Sequence, residues 1–264
     1  MPTLTINRRP SAPPIAAVGG FRTPRHLYYF NGAGPWPGVT TVTDVLDKPA
    51  LTKWHREQVA RAAIVNAERL LEDRETGNVE AAVNYLLAVR NEGTIGRERG
   101  SRIHATVEAI LRREAVEIEP GDEPAVEGAR AWLNEQCVEP VEIEALLFHE
   151  GLGYGGTCDL IAWIDGEMWL LDWKTSKSVA WPSGQLYNEQ RLQLVGYSRA
   201  EFIARPGDPE RYALPEIHRL GVLHVTDAGT RLYPAEVSED DWTAFRACLY
   251  LFNWQKGKGK AATA

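Results

Sequence analysis

Asp159, Asp172 and Lys174 lie close together in the chain, in a stretch dominated by apolar and aromatic residues. Between the two acids stands Asp165-Gly166, a strong hairpin signal, because a type I′ turn needs positive φ at both central residues. With those two residues as the turn, Ile164 pairs with Glu167, and counting outwards sets Asp159 opposite Asp172. Directly opposed residues have Cβ atoms about 4.5–5.5 Å apart and share a face. Lys174, two residues beyond Asp172, projects from that face too. Opposed like charges repel. A divalent cation between them removes that penalty, and buried carboxylates are paired or metal-bound. The plainer alternative is an exposed edge hairpin with a surface Asp–Lys pair. Leu160, Ile161, Trp163, Leu170 and Leu171 make both faces apolar, which favours a hairpin covered on both sides.

Such a set suits metal-assisted hydrolysis, and the family resemblance set out below implies a phosphodiester as the substrate. That reaction needs an activated water, neutralised charge on the phosphate and relief for the departing oxygen. A metal held by Asp159 and Asp172 would acidify the water and polarise the phosphate. Lys174 would orient or help deprotonate the water and offset developing charge. Oxygen ligands suit Mg²⁺.

Several elements must position these groups. Residues 1–25, rich in Pro, Ala and Arg, are expected to be poorly ordered. Residues 40–137 read as helical: one helix opens at Pro49, a second near Asn78, a third spans about Ile95 to Ala115, and a fourth runs through EPAVEGARAWLNEQC. From 138 to 254 the pattern changes. VEIEALLFHE, TCDLIAWI and EMWLLDWKT read as strands. A long helix from about Leu186 to Ala204 follows, then strands IHRLGVLHV and RLYPAEV around the turn DAGT, and a closing helix DWTAFRACLYLFNWQ. Residues 255–264 read as a flexible tail. The whole reads as a single α/β domain with a mixed sheet flanked by helices.

Composition bounds the partners. Nothing approaches the 18 consecutive apolar residues of a membrane span, and the N-terminus does not read as a secretory signal, so a cytoplasmic protein is expected. The net charge of −7 is unevenly placed: residues 1–113 balance at +5, 114–167 at −13 and 168–264 at +1. One segment holds the whole deficit, so overall charge neither supports nor excludes DNA. Cys137, Cys158 and Cys248 are odd in number and widely spaced, fitting neither a disulfide framework nor a cluster.

Two helical pairs remain. His104 and Glu108 stand four apart, as do Gln193 and Tyr197, so each pair shares a helix side. Metal coordination by the first pair and incidental spacing both stay open. For the second, Gln193 near a metal or phosphate and Tyr197 against a strand compete with plain packing on the sheet. Lys177, Arg97, Arg99 and Arg102 are candidate phosphate contacts.

At these residues the chain resembles the PD-(D/E)xK nuclease superfamily, in particular its RecB-like, phage-type exonuclease branch. The resemblance runs through GYGGTCDLIAWIDGEMWLLDWKTSK, with G-x-x-D, a hairpin and D-x-K-T. It continues in LQLVGY, which is similar to the Q-x-x-x-Y motif, and covers roughly residues 38–200. It implies a restriction-endonuclease-like core and a metal-dependent DNA exonuclease using Mg²⁺ or Mn²⁺. The implied catalytic set is Asp159, Asp172, Lys174 and Glu144, with His104 joining the acids at the metal. Gln193, Tyr197, Lys177 and Arg102 would face DNA. An imidazole ligand suits Mn²⁺ at least as well as Mg²⁺. Some members carry a four-cysteine iron–sulfur cluster; the cysteines here do not match it, and none is expected. A separate recombination or helicase protein is an expected partner. The competing readings are a catalytically inactive nuclease-like module that binds DNA or a partner, and a glycosidase using two carboxylates.

Overall fold

The computed structural model describes residues 18–89, 92–177 and 186–257. Its N-terminal strands β1 (Gly20–Arg22), β2 (Leu27–Phe30) and β3 (Ala33–Pro37) form a small antiparallel sheet. Helices α1 (Val39–Thr43), α2 (Pro49–Val65), α3 (Ala67–Glu75), α4 (Val79–Val89), α5 (Glu92–Leu111) and α6 (Glu123–Glu135) follow. Then come β4 (Glu139–His149), β5 (Tyr154–Ile164), β6 (Glu167–Thr175), α7 (Asn188–Ser198), β7 (Phe202–Arg205), β8 (Asp208–Tyr212), β9 (Arg219–Thr226), β10 (Gly229–Ala235) and α8 (Glu239–Gln255).

Seven strands make one mixed sheet in the order β10-β9-β6-β5-β4-β7-β8, with β6 and β9 parallel. The chain is therefore α/β, with eight helices among the described residues. One face of the sheet packs Val39 and Val42 of α1, Leu192 to Tyr197 of α7 and Phe245 of α8. The other packs Ile103 and Val107 of α5 and Ala125 to Leu133 of α6. A third cluster joins Tyr28 and Phe30 of the small sheet to Phe148 and Phe202. Helices α2 to α4 pack mainly on one another, and none of their described side chains is buried. No helix among the described residues is long and apolar enough to cross a membrane.

The hairpin closes as expected. Asp165 has φ 50° and Gly166 φ 75°, the positive pair that a type I′ turn requires. Pairing runs from Ile164↔Glu167 to Leu160↔Leu171.

Three expectations need correcting. Part of the N-terminal segment expected to be poorly ordered is a strand: β1 pairs along its length with β2. Residues 1–17 lie outside the described set. The small sheet went unread because its strands are short and interrupted by Gly and Pro, which suppress the alternating pattern. The helix expected to reach Ala204 ends at Ser198. Phe202, Ile203 and Ala204 instead pair with Phe148, Leu147 and Leu146, adding β7 to the sheet; tertiary pairing overrides local helical spacing. The helix expected to continue from Pro49 breaks at Asn66, whose side chain bonds back to the Ala62 carbonyl. At the other end, α8 stops at Gln255, and 258–264 lie outside the described residues.

Candidate active site

The β5–β6 ladder does not continue to Asp159 and Asp172. Beyond Leu160↔Leu171, β6 keeps its parallel pairing with β9, Asp172 lying beside Val222 and Lys174 beside His224. Asp159 turns its carboxylate into the gap, where Oδ2 accepts the Trp173 amide at 2.5 Å. A side chain thus stands where a strand carbonyl would have been.

The face alternation slips at the same place. Ile143 on β4 packs with the α5–α6 layer, whereas Ala145 packs with the α7–α8 layer. On β5, Leu160 and Cys158 divide in the same way. Residues two apart on a regular strand share a face, so both strands change face in passing through Glu144 and Asp159. Those two residues oppose each other, between Ile143↔Leu160 and Ala145↔Cys158. Glu144 takes φ 55°, an uncommon conformation for a side chain of its size. The acids therefore lie between the two packing layers, within reach of helices on both faces.

Asp172 is 4% exposed and Asp159 12%. Lys174 hydrogen-bonds Asp172 Oδ2, and Gln193 Nε2 donates to Asp172 Oδ1 at 2.7 Å. Burial, then the charge of Asp172, pushes the Asp159 carboxyl well above the usual range, against the pull of Lys174. Burial and Glu108 raise Glu144, with Arg22 opposing. Burial alone would lower Lys174, but Asp172 and Asp159 outweigh it and hold the ammonium above its ordinary pKa.

Helix α5 supplies His104, whose Nδ1 lies 3.9 Å from Asp159 Oδ1. Burial depresses the imidazole to about 4, leaving it neutral at pH 7, the state in which a ring nitrogen can ligate. Gly100, Glu108 and Arg112 lie on the same stripe. A Cβ on Gly100 would meet Thr175, Glu108 raises Glu144 electrostatically, and Arg112 donates to the Ile143 carbonyl at 3.2 Å.

The structure thus brings Asp159, Asp172, Lys174, Glu144, His104 and Gln193 together. Glu142, two residues before Glu144 on β4, instead pairs with Arg205 at 2.8 Å. Tyr197 is 3% exposed and packs against Gly156, and its hydroxyl takes a hydrogen from Gln193 at 2.8 Å. A side chain so placed supports Gln193 from the core. Tyr197→Phe should cost about 1 kcal/mol of stability, as read by thermal melting. Lys177 is exposed beyond the end of β6. Arg102 is half exposed, its Nε held by the buried Asp122 at 3.1 Å. Arg99 is drawn inward to Asp122 and Asp227. Sequence reasoning missed Arg22, Tyr28 and Asp122, whose places depend on long-range packing. Glu108 was visible only as the i+4 partner of His104.

The donors suit a hard divalent cation. Glu144 and Asp159 are both raised by burial and by acidic neighbours, which marks a place where carboxylates lack enough positive charge, and oxygen donors are what Mg²⁺ and Mn²⁺ prefer. Among the described residues no three His, Cys, Asp or Glu side chains are already arranged around one ion position; both oxygens of Asp172 are taken by Lys174 and Gln193. No family model matches the chain, and no curated protein is significantly similar to it.

Proposed function

We propose that this chain is a divalent-metal-dependent DNA nuclease of the PD-(D/E)xK type, an exonuclease of the RecB-like branch with a restriction-endonuclease-like core. The observation that carries the reading is the splayed hairpin: two acids at the divergence of β5 and β6, a lysine on the strand of the second, and a third acid facing the first from β4. A glycosidase pair has no use for a lysine closed onto one of its carboxylates.

Mg²⁺ or Mn²⁺ would be held by Asp159, Glu144 and Asp172, with His104 beside them. Bound there, the cation would neutralise the phosphate and acidify water. Lys174, kept protonated by its acidic neighbours, offsets the negative charge that builds on the phosphate oxygens. Gln193 orients Asp172, and Tyr197 holds Gln193. Lys177 and Arg102 stand at the rim as contacts for flanking phosphates. DNA is the partner on this reading, the cytoplasm the place of action, and a separate recombination or helicase protein the source of any motor activity.

Incubating end-labelled linear and closed circular duplexes, and single strands, with Mg²⁺, Mn²⁺ or EDTA tests it. Metal-dependent loss of linear DNA from its ends is expected. Binding without cleavage under every metal condition would leave a nuclease-like binding module.

A further inference from the structure

The arginines flanking the acid centre are mostly committed. Arg99 and Arg102 are held by Asp122, and Arg112 by Glu108. Arg22 differs. It ends β1, it is exposed, and among the described residues no carboxylate closes an ion pair with it. Its place is nevertheless well defined. Arg22 pairs directly with Tyr28 across the small sheet, so the two side chains share a face. Tyr28 is anchored: its hydroxyl meets Thr157 Oγ1 at 2.9 Å, two residues before Asp159 on β5. Its ring lies against Gly155, where an added Cβ would stand 2.7 Å from the Tyr28 Cβ. Only a residue without a side chain lets the small sheet come so close. The positive charge of Arg22 works against the burial that raises Tyr28 and Glu144. A guanidinium carries five N–H donors in a planar fork, the geometry that takes phosphate oxygens in pairs.

We propose that Arg22 is a phosphate-binding residue of this centre, brought by the N-terminal sheet to grip a backbone phosphate of the strand seated at Glu144 and Asp159. The inference rests on reading the acid centre as a site for phosphodiesters. It gives the small sheet a task in substrate binding, since Tyr28 and Gly155 together set where the guanidinium stands.

The test is binding of a short fluorescent oligodeoxynucleotide in EDTA, followed by anisotropy over a range of salt, with R22Q, R22K and, as a distant control on α8, R246Q. R22Q should weaken binding roughly tenfold and lower the salt slope by about one phosphate contact. R22K should recover part of the loss, and R246Q should match the unmodified chain. Oligonucleotides with a single neutral methylphosphonate linkage add a readout that a structural role would not move. The linkage whose neutralisation weakens binding to the unmodified chain should carry no further penalty in R22Q. An R22Q protein that binds as the unmodified chain does, or that keeps its whole methylphosphonate profile, overturns the inference and leaves the nuclease reading standing. If R22Q fails to fold by circular dichroism, R22K bears the test: an unchanged profile overturns the inference and a reduced one supports it. Arg22-dependent binding in a chain that cleaves nothing would instead remove the nuclease reading and keep Arg22. A chain that binds no oligonucleotide at any salt loses both.

Discussion

Asp172→Asn and Lys174→Met should each reduce metal-dependent DNA hydrolysis by 10²–10³-fold, on the order of what one preorganised charged group contributes. Their effects on stability should differ, and that difference separates the electrostatic role from mere folding. Asparagine at 172 keeps an oxygen to accept from Gln193 at the Oδ1 position; it sets an amide donor against Lys174 but also removes a buried charge that repels Asp159, and with the two effects opposed its melting temperature should change little. Methionine at 174 leaves the Asp172 carboxylate, 4% exposed, without its cation. Breaking a fully buried pair is strongly destabilising, but the Lys174 side chain is 34% exposed, so solvent screening brings the expected loss down to about 1–2 kcal/mol. Cleavage rates on linear duplex together with thermal melts in EDTA check both. An Asp172→Asn protein that still degrades DNA at the original rate would remove these residues from the chemistry.

The second large effect is on stability in the absence of metal. Asp159 and Glu144 have folded-state pKa values raised above those of exposed carboxylates, by burial first and then by their acidic neighbours. A raised carboxyl binds its proton more tightly in the folded state. Its contribution is therefore present at low pH and lost as pH rises through the folded value. His104 works the other way, because its folded value of about 4 lies below the usual 6.5. Between those values the unfolded chain binds the extra proton, and stability climbs with pH. Above about pH 6.5 the histidine is neutral in both states and drops out of the slope. In EDTA the melting temperature should thus fall with rising pH as the two acids lose their protons in the folded state. Asp159→Asn should flatten that fall and raise the melting temperature at pH 8 while abolishing cleavage, a trade of stability against function. Mn²⁺ or Mg²⁺ should restore the loss, by about 2.7 kcal/mol at a hundred times the dissociation constant, and more at pH 8 than at pH 6.5 because the ion displaces a proton. A melting temperature indifferent to both pH and metal over this range would count against a cation among these acids.

How far the site was legible follows from which interactions are local. The hairpin is a short-range object: Asp165-Gly166 dictates its turn, and everything from Ile164 to Leu171 follows by counting. Counting predicted Asp159 directly opposite Asp172, and here it went one step too far. The ladder ends at Leu160, where the Asp159 carboxylate takes the Trp173 amide while β6 runs on beside β9, a strand more than forty residues away in sequence. The slip at Glu144 and Asp159 was equally invisible. Both lie on strands whose sequences alternate acceptably through the break, and the displaced face shows only when two packing layers exist to disagree. Tyr197 reads as a binding aromatic or a core aromatic with equal ease. Its burial against Gly156 depends on α7 docking on β5. The small N-terminal sheet had no usable pattern, and with it Arg22 and Tyr28 were lost.

Helix α5 sets the scale of the site. Its stripe of Gly100, His104, Glu108 and Arg112 meets, in turn, Thr175 on β6, Asp159 on β5, and then Glu144 and Ile143 on β4. Four residues advance a helix by about 6 Å, and neighbouring strands stand about 4.8 Å apart, so the helix works as a ruler laid across the strands. Inserting one residue upstream of Gly100 would shift only the approach to that ruler. The same insertion between Gly100 and His104 would swing the imidazole by about 100° and carry it off the acids while every strand stayed where it is.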